Sequence, residues 1–336
     1  MRLFLYEFIT GGGLWSRGER PEGSLLAEGA AMAVALANDL AGIDGVEVTV
    51  LCDTRLTAAE LQYSPQVRRI AVDSAAEEQR QVFFCAKTSD RVWLIAPEFD
   101  GILCELIDWV SVADGGSLVS PQRDFAEIAA DKQRTAETLA AAGVRTPRGC
   151  LWTGDETVTF PAIVKPNDGC GSQGVCRVTS AEELAALNPR GRRVEEELHG
   201  QAVSCAVLCG MDEVFPLPAC RQHLSDDGRF TYLGGSLPLS AEENARAQSL
   251  AVAAVRALRK TRGYVGVDLI LGEVDAVIEI NPRLTTSYVG LRRACRQNLA
   301  EWILKVATLD FDAADLAAMS FSPDAIKFAA DGTVLA

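Results

Sequence analysis

The sequence lacks the residues and patterns that mark several common functional classes. It has two histidines, His199 and His223, and ten cysteines with no Cys-x-x-Cys pair, so the ligand sets of zinc sites are not expected. Acidic residues outnumber basic ones, 46 to 32, which gives a formal net charge of −14. We therefore expect neither nucleic acid nor an anionic membrane as a partner.

Long apolar runs are missing as well. The apolar stretches fall short of the roughly 18 residues that a spanning helix requires, so the sequence predicts no membrane helix. Residues 1–7 are typical of a strand and not of a signal peptide, and several cysteines lie in apolar runs, as thiols do in reducing compartments. We expect a cytoplasmic protein. Cys170 is the exceptional thiol, because it lies in a glycine-rich loop where we expect it to be oxidisable.

A chain of 336 residues, 48% of them hydrophobic and 23% charged, predicts a globular protein of two or three lobes. Apolar runs alternate with helical stretches over residues 1–121, which predicts an α/β domain with a parallel sheet. The predicted strands span 3–9, 46–52, 68–72, 92–96 and 117–120, and the predicted helices span 25–40, 75–87 and 102–112.

Residues 122–200 predict a small α+β lobe. One long helix over 122–142 comes first, then strand, loop, strand, helix and strand, and Ser180 and Glu183 have the spacing of a capping box for the second helix. Residues 201–336 predict a larger lobe. It contains a strand over 203–208, helices over 241–259 and 299–309, and a hairpin within 263–283.

That hairpin carries the strongest chemical signal in the sequence. Its segments 263–268 (GYVGVD) and 277–283 (VIEINPR) place Asp268 and Glu279 on neighbouring strands, and Asn281 shares a face with Glu279 because side chains alternate along a strand. Oxygen ligands without Cys or His suit Mg²⁺. With Arg283 beside them, they predict a phosphoryl-transfer site. The alternative is an ordinary hairpin whose exposed face is acidic.

Residues 160–175 (FPAIVKPNDGCGSQGV) predict a phosphate-binding loop. A short apolar run ends at Lys165, and glycines at 169, 171 and 174 precede a second apolar run. Such glycines allow backbone N–H groups to approach an anion closely. The loop has neither the Gly-Lys-Ser/Thr ending of a Walker A motif nor the following helix of a dinucleotide fingerprint. We predict a flexible lid over the phosphates of ATP, with a plain glycine-rich hairpin as the alternative.

Four motifs, at residues 131–147, 160–175, 194–200 and 263–283, resemble those of the ATP-grasp carboxylate–amine ligases and follow the same order along the chain. The resemblance covers nearly the whole chain. Residues 131–147 are similar to the segment whose lysine, here Lys132, reaches a nucleotide phosphate. Lys165 matches the second lysine of the family. Residues 167–174 match its lid, with Gly171 and Ser172 as ATP contacts.

Residues 194–200 resemble the hinge strand of the family, which contacts adenine and ribose. The resemblance makes Glu195, Glu196 and Leu198 nucleotide contacts. Two positions depart from the family pattern. Many members have an acid where this chain has Ala202, so we expect Glu195 to carry more of the ribose contact, and many have Tyr or Phe in place of Glu197.

The resemblance implies an ATP-grasp fold with an N-terminal parallel-sheet, or pre-ATP-grasp, domain over 1–121 and two ATP-grasp lobes over 122–200 and 201–336. It implies ATP and Mg²⁺ as cofactors, and it leaves open whether one or two ions bind and whether Mn²⁺ substitutes. Asp268, Glu279 and Asn281 are the implied metal ligands, and Arg283 and Lys165 are the implied catalytic residues. The implied reaction passes through an acyl phosphate.

The glycines at 11–13 follow the first strand but do not fit a dinucleotide fingerprint. No helix starts directly after them, and Asp53 lies 40 residues past Gly13 instead of about 20. We expect a mobile loop, Gly12 included, at the rim of a pocket. Glu7, Asp53 and Glu98 fall near the carboxyl ends of predicted strands and are candidates to hold an amine or amino acid. Helix capping or solvation is the alternative for each.

Within the family, residues 6–13, 51–56, 96–98 and 279–290 are similar to tyramine–glutamate ligases of methanofuran-type cofactor biosynthesis. The resemblance implies that the γ-carboxyl of glutamate is joined to tyramine or a tyrosine-like aromatic amine. Another amino-acid or dipeptide ligase and a non-catalytic ATP-binding regulator are the alternatives. Arg221 is expected to face either the substrates or solvent, and His223 to be a hydrogen-bonded bystander. Small molecules are the expected partners, and the sequence leaves a homodimer open.

Overall fold

The computed structural model describes residues 1–113, 115–154, 156–312, 315 and 318–335. Within these residues the strands form three sheets, of five, four and eight strands. Each sheet lies inside one of the three units 1–121, 122–200 and 201–336 that the sequence suggested.

The N-terminal sheet is parallel, with strand order β3-β2-β1-β4-β5, which confirms the predicted α/β arrangement. Alternate residues of the first strand pack on opposite faces, Leu3 and Leu5 on one core cluster and Phe4 and Tyr6 on another. The strands are β1 (Arg2–Glu7), β2 (Glu47–Asp53), β3 (Arg68–Val72), β4 (Arg91–Ile95) and β5 (Ser117–Leu118); the helices are α1 (Gly23–Ala41), α2 (Ala75–Thr88) and α3 (Ile102–Ala113).

Helix α1 bears on the expectation that the chain lacks a membrane helix. By length and composition alone it is capable of crossing a membrane, although the sequence predicted no such helix. Its apolar character has another explanation, because Leu36, Ala37 and Leu40 are buried in the core beside β1 and β2. Core helices of soluble proteins satisfy the same criteria.

The segment predicted as one helix over 122–142 is two helices, α4 (Arg123–Ala129) and α5 (Lys132–Ala141). The break occurs because Asp131 adopts an extended conformation and its carboxylate accepts a hydrogen bond from the Arg134 N–H at 2.9 Å, as an N-cap does. Lys132 therefore becomes the first residue of α5. Its N–H donates to the Asn167 carbonyl at 2.9 Å, so α5 starts at the base of the glycine-rich loop.

The small sheet is antiparallel, with order β6-β9-β7-β8, and α6 (Ala181–Ala185) follows its last hairpin. The predicted capping box of α6 is half formed. Ser180 Oγ accepts from the Glu183 N–H at 3.3 Å, but the Glu183 carboxylate accepts from the Thr179 N–H at 2.7 Å instead of from that of Ser180. The strands are β6 (Gly149–Leu151), β7 (Ala162–Pro166), β8 (Cys176–Val178) and β9 (Arg192–Glu196).

The large sheet follows the order β15-β14-β10-β12-β13-β16-β17, with β11 paired to β10. The predicted hairpin forms here, and Asp268 stands opposite Glu279 in its register. The strands are β10 (Gln201–Met211), β11 (Glu213–Pro216), β12 (Cys220–Leu224), β13 (Tyr232–Leu237), β14 (Thr261–Leu271), β15 (Ala276–Asn281), β16 (Ile326–Ala329) and β17 (Val334–Leu335); the helices are α7 (Ala241–Ala257), α8 (Ser287–Ala294) and α9 (Leu299–Thr308).

The N-terminal unit packs on the large lobe through α1. Asp39 of α1 accepts hydrogen bonds from Tyr288 Oη at 2.5 Å and from Arg292 Nε at 2.6 Å, both on α8. Apolar residues of α1 and α9 also share one core cluster. These contacts bring one face of α1 to the cavity described next.

Candidate active site

A cavity of about 230 Å³ lies between the small sheet, the large sheet and α1, with the glycine-rich loop over it. Most of the residues predicted from the sequence meet here. The predicted residues that line the cavity are Lys132, Lys165, Gly171, Ser172, Glu195, Glu196, Leu198, Asp268, Glu279, Asn281 and Arg283. Five other candidates, Glu7, Gly12, Asp53, Glu98 and Arg221, are absent from its described lining.

Two carboxylates face each other on the β14–β15 hairpin. Asp268 and Glu279 are paired in register, and the Asn281 amide nitrogen donates to Asp268 Oδ2 at 3.1 Å. Gln222, which the sequence analysis missed, donates to Asp268 Oδ1 at 2.9 Å. Burial, and then the charge of Glu279, raise the pKa of Asp268 to about 7.

These residues fit a hard divalent cation. The described residues contain no group of three or more His, Cys, Asp and Glu side chains able to hold a metal, so a site here depends on the amide. The Asn281 nitrogen is turned to Asp268, which leaves its carbonyl oxygen available as a third ligand beside two carboxylates. An all-oxygen set whose charges repel each other suits Mg²⁺.

Lys132 reaches this hairpin from the start of α5. Its Nζ lies 3.3 Å from Glu279 Oε2 and also donates to the Gly169 carbonyl of the lid. Burial opposes its charge, but the carboxylates of Glu279 and Glu98 outweigh that effect and raise the pKa of Lys132. The lysine therefore stays charged between the metal hairpin and the lid.

Lys165 lies at the end of β7, and its Nζ is 2.6 Å from Glu195 Oε1. The other oxygen of Glu195 is 3.0 Å from Nε of Arg193. Both oxygens of Glu195 are thus held by cations, so the structure gives this carboxylate a partner other than the ribose that the sequence analysis expected.

Arg283 lines the cavity, and its Nε lies 2.9 Å from Glu98 Oε1. Burial opposes the charge of Arg283, but Glu98 more than compensates and raises its pKa. Glu98 was expected to hold an amine substrate. The structure places its carboxylate in a buried ion pair with Arg283, outside the described lining of the cavity.

The lid is closed against the N-terminal unit. Asp168 Oδ2 accepts a hydrogen bond from the Asp100 N–H at 3.0 Å, and positive φ angles at Gly171, Ser172 and Gly174 turn the chain over the cavity. Cys170 is buried under this loop, and burial raises the pKa of its thiol to about 12. The predicted oxidisable thiol is therefore not a reactive thiolate in the closed lid.

Two candidates near the first strand, Glu7 and Gly12, have structural roles. Glu7 accepts hydrogen bonds from the Ile9 and Thr10 N–H groups at 3.1 and 2.7 Å and from Thr10 Oγ1 at 2.7 Å. Gly12 has φ 102°, and an added Cβ would lie 2.6 Å from Val72. The segment is buried, so it is not the rim loop that the sequence suggested.

Two further candidates also lie outside the cavity. Asp53 is buried in an ion pair with Arg55, whose Nη2 lies 2.6 Å from its Oδ2. The side chain of Arg221 is 46% exposed and lies 3.9 Å from Glu243. Because side chains alternate along β12, Gln222 faces the cavity and Arg221 does not. His223 bonds to Ser236 at 3.0 Å, consistent with a bystander role.

Glu28 is a charged residue of the cavity that sequence reasoning missed. It extends from α1 into the cavity, where Thr286 Oγ1 donates to its Oε2 at 3.3 Å. Burial raises the pKa of Glu28. No motif marks this residue, because it sits in an apolar helix and becomes functional only when α1 packs against the large lobe.

The hinge between β9 and β10 lies at the opposite end of the cavity. Glu196 is engaged by the Arg148 N–H, which donates to its Oε1 at 3.0 Å. Within the described part of the chain, the backbone of Leu198 has no hydrogen-bonding partner. A free N–H and carbonyl beside the apolar side chains of Ile163 and Ile278 are suited to the edge of a purine ring.

Comparisons with known proteins agree with this geometry. An ATP-grasp domain model matches residues 129–287, and a pre-ATP-grasp domain model matches residues 46–123. A tyramine–L-glutamate ligase of Methanocaldococcus fervens is 25% identical over 91% of this chain and 94% of that protein. Its counterpart in Methanocaldococcus jannaschii is 26% identical over 72% of this chain and 70% of that protein.

A solved structure shows the same fold along nearly the whole chain. An ATP-grasp superfamily protein from Archaeoglobus fulgidus superposes with a TM-score of 0.75 and 24% sequence identity, covering 98% of this chain and 92% of that one. The predicted fold class is thereby confirmed. This chain belongs to the ATP-grasp family, and it is an ATP-dependent carboxylate–amine ligase.

Proposed function

We propose that the enzyme joins the γ-carboxyl of glutamate to an aromatic amine, tyramine or a close analogue, with ATP converted to ADP and phosphate. The observation that carries the proposal is the shared cavity. Two lysines, an oxygen-rich hairpin and Arg283 line it under one lid, and Glu28 enters from the N-terminal unit. The two relatives named tyramine–L-glutamate ligase support this choice of substrates.

In the first step, an oxygen of the donor carboxylate attacks the γ-phosphorus of ATP. The bond to ADP breaks, and an acyl phosphate forms. Lys132 and Lys165 hold the phosphate chain, and Arg283, kept charged by Glu98, stabilises the transferring group. Mg²⁺ bound by Asp268, Glu279 and Asn281 would offset the negative charge of the phosphates.

In the second step, the neutral amine nitrogen attacks the acyl carbon, phosphate leaves with the electrons of the broken C–O bond, and the proton lost by the nitrogen leaves with the phosphate. Water competes with the amine for this carbon. The closed lid, fastened at Asp100 and Asp168, excludes that water. The reaction therefore requires lid closure before the acyl phosphate forms.

Glu28 is the carboxylate placed to recognise a substrate ammonium group. Its Oε2 already accepts from Thr286, and a carboxylate has capacity for further donors. We assign Glu28 to the α-ammonium of the donor glutamate. Phe230 and Tyr232 line the same cavity, and their rings offer an apolar surface to an aromatic acceptor.

A product of this kind, a γ-glutamyl aromatic amide, fits an early step in building a methanofuran-type cofactor. The test is incubation of the enzyme with ATP, Mg²⁺, glutamate and a panel of amines, with phosphate release measured and products identified by mass spectrometry. We expect a γ-glutamyl amide of tyramine or a tyrosine-like amine.

Dipeptides formed from other amino acids would instead indicate an amino-acid ligase. Tight ATP binding without any turnover over the full panel would indicate a regulator. Either result would contradict the proposed substrates, and the second would also contradict the assigned chemistry.

A further inference from the structure

A small interior void adjoins the nucleotide cavity, and charged side chains surround it. Its volume is about 10 Å³, which holds about one water molecule. Three cations and two carboxylates line it, so one positive charge is in excess. These residues are Lys132, Lys165, Arg193, Glu195 and Glu279. Arg193 belongs to none of the motifs and does not line the nucleotide cavity.

Arg193 is one of the most deeply buried charged residues of the molecule, with 2% of its surface exposed. All three guanidinium nitrogens have partners. Nε bonds to Glu195 Oε2 at 3.0 Å, Nη2 donates to the Pro147 carbonyl at 3.1 Å, and Nη1 donates to Gln133 Oε1. A buried guanidinium with complete partners is fixed in position.

Glu195 stands between this arginine and Lys165. Arg193 and Glu195 are two residues apart on β9 and share a face, and Lys165 on β7 is the register partner of Arg193. The Glu195 carboxylate gives one oxygen to Lys165 at 2.6 Å and the other to Arg193. The result is a cation–anion–cation row that ends at the nucleotide cavity.

The second cation of the row offsets the negative charge that Glu195 places beside Lys165. Lys165 and Glu195 alone would form a neutral pair, and an incoming phosphate would meet the repulsion of a carboxylate held 2.6 Å from the lysine. Such repulsion is weakly screened in a buried site. A second cation on the far oxygen neutralises the carboxylate and restores a net positive charge to the group.

We propose that Arg193 is a positioning residue that keeps the charge of Lys165 available to the nucleotide phosphates. The proposal rests on the proposed binding of ATP at Lys165. Arg193 also bonds to Gln133, the neighbour of Lys132 on α5, so a single side chain connects the strand of one phosphate-binding lysine to the helix of the other.

The test measures the Kd of a non-hydrolysable ATP analogue in Mg²⁺ by calorimetry, using the full chain. We expect Arg193→Met to raise the Kd about 10-fold or more, while Arg193→Lys, which keeps the charge, has a smaller effect. The informative variant is Arg193→Met with Glu195→Gln. Removing the unneutralised carboxylate should return the Kd to within about threefold of the parent value.

Arg190→Met is the control, because this exposed arginine lies in the loop before β9, away from the void. A folded Arg193→Met protein with the parent Kd would overturn the proposal. So would a double variant that binds no better than Arg193→Met, since a purely structural role predicts no rescue by Glu195→Gln. Should Arg193→Met not fold, the comparison passes to Arg193→Gln, a neutral variant that keeps hydrogen-bonding groups, with and without Glu195→Gln, and the same absence of rescue is decisive. A parent protein that does not bind the analogue overturns the nucleotide site itself, so the two failures are distinguishable.

Discussion

Two groups of acidic residues in this molecule look alike in the sequence and differ in the structure. Glu7 and Asp53 end strands of the N-terminal sheet and Glu98 follows one, whereas Asp268 and Glu279 lie on the β14–β15 hairpin. Members of the first group are bonded to protein partners, through backbone N–H groups, a hydroxyl or an arginine. The two hairpin carboxylates, by contrast, face each other as register partners on neighbouring strands.

The difference shows what marks a ligand-binding carboxylate. Position at a strand end is not sufficient, because buried acids there are used to organise loops and orient cations. The hairpin acids have amide partners and Lys132, yet burial and then the charge of Glu279 raise the pKa of Asp268. Negative charge that the protein leaves uncompensated indicates a cation from outside.

The largest expected effect comes from breaking the hairpin pair. Glu279→Gln should lower amine-dependent ADP release by about 100- to 1,000-fold, because one metal ligand and one partner of Lys132 lose their charge. Two effects on the stability of the metal-free protein oppose each other, because the repulsion on Asp268 is relieved while the buried Lys132 loses its ion pair. ADP release is followed by a coupled assay and stability by thermal unfolding.

Glu273→Gln is the matched control, since Glu273 lies exposed in the turn of the same hairpin. Its activity should equal that of the parent. Turnover by Glu279→Gln at the parent rate would reject the assignment of the hairpin as the metal site.

The second expected effect comes from replacing Glu28, the acid that the N-terminal unit contributes to the cavity. Glu28→Gln should raise the KM for glutamate about 10- to 100-fold, the value of one charged hydrogen bond, with little change in the KM for ATP. Glu22→Gln, at the exposed start of α1, is the control. An increase confined to the KM for the amine would show that Glu28 contacts the acceptor amine and not the donor glutamate.

The sequence predicted the elements whose patterns are local. The parallel sheet follows from short apolar runs, and the hairpin from acids and an amide at period-two spacing. The break between α4 and α5 was not predicted, because alanines on both sides favour a continuous helix and the capping role of Asp131 competes with that signal.

The remaining features depend on contacts that no local pattern encodes. The pair of Glu98 and Arg283 joins residues 185 positions apart, and Glu28 reaches the cavity only through the packing of α1. Arg193 looks like a surface cation on a charged strand until Glu195, Gln133 and Pro147 enclose it. Partners supplied by tertiary structure decide which charges serve the fold and which serve a ligand.

The third effect is a pH dependence confined to the hairpin. Asp268 ionises near pH 7 in the folded protein and near its ordinary value of 3.8 in the unfolded chain, so between these pH values the folded state binds more protons. Metal-free stability should therefore fall as pH rises from about 4 to about 7, by at most about 1.4 kcal/mol per pH unit for this group. Urea unfolding in EDTA at several pH values measures the slope.

Saturating Mg²⁺ should flatten that slope, because a bound cation favours the ionised carboxylates. Glu279→Gln in EDTA should reduce the slope without abolishing it, since burial, the larger cause of the raised pKa of Asp268, remains. A slope that neither Mg²⁺ nor this substitution changes would show that other groups govern the pH dependence.

The smallest effect concerns the acids of the N-terminal unit, whose partners belong to the protein. It tests whether such an acid is separate from the reaction, in contrast to the acids of the hairpin. Thr10→Val removes the hydroxyl that donates to Glu7 at 2.7 Å and keeps the volume of the buried side chain. We expect a loss of about 1 kcal/mol in the free energy of unfolding, with turnover within about twofold of the parent. The backbone donors of Ile9 and Thr10 still hold the Glu7 carboxylate, so it stays outside the cavity lining. A turnover loss of more than tenfold in the folded variant would mean that Glu7 reaches the substrate, and that an acid satisfied by the fold also serves the reaction.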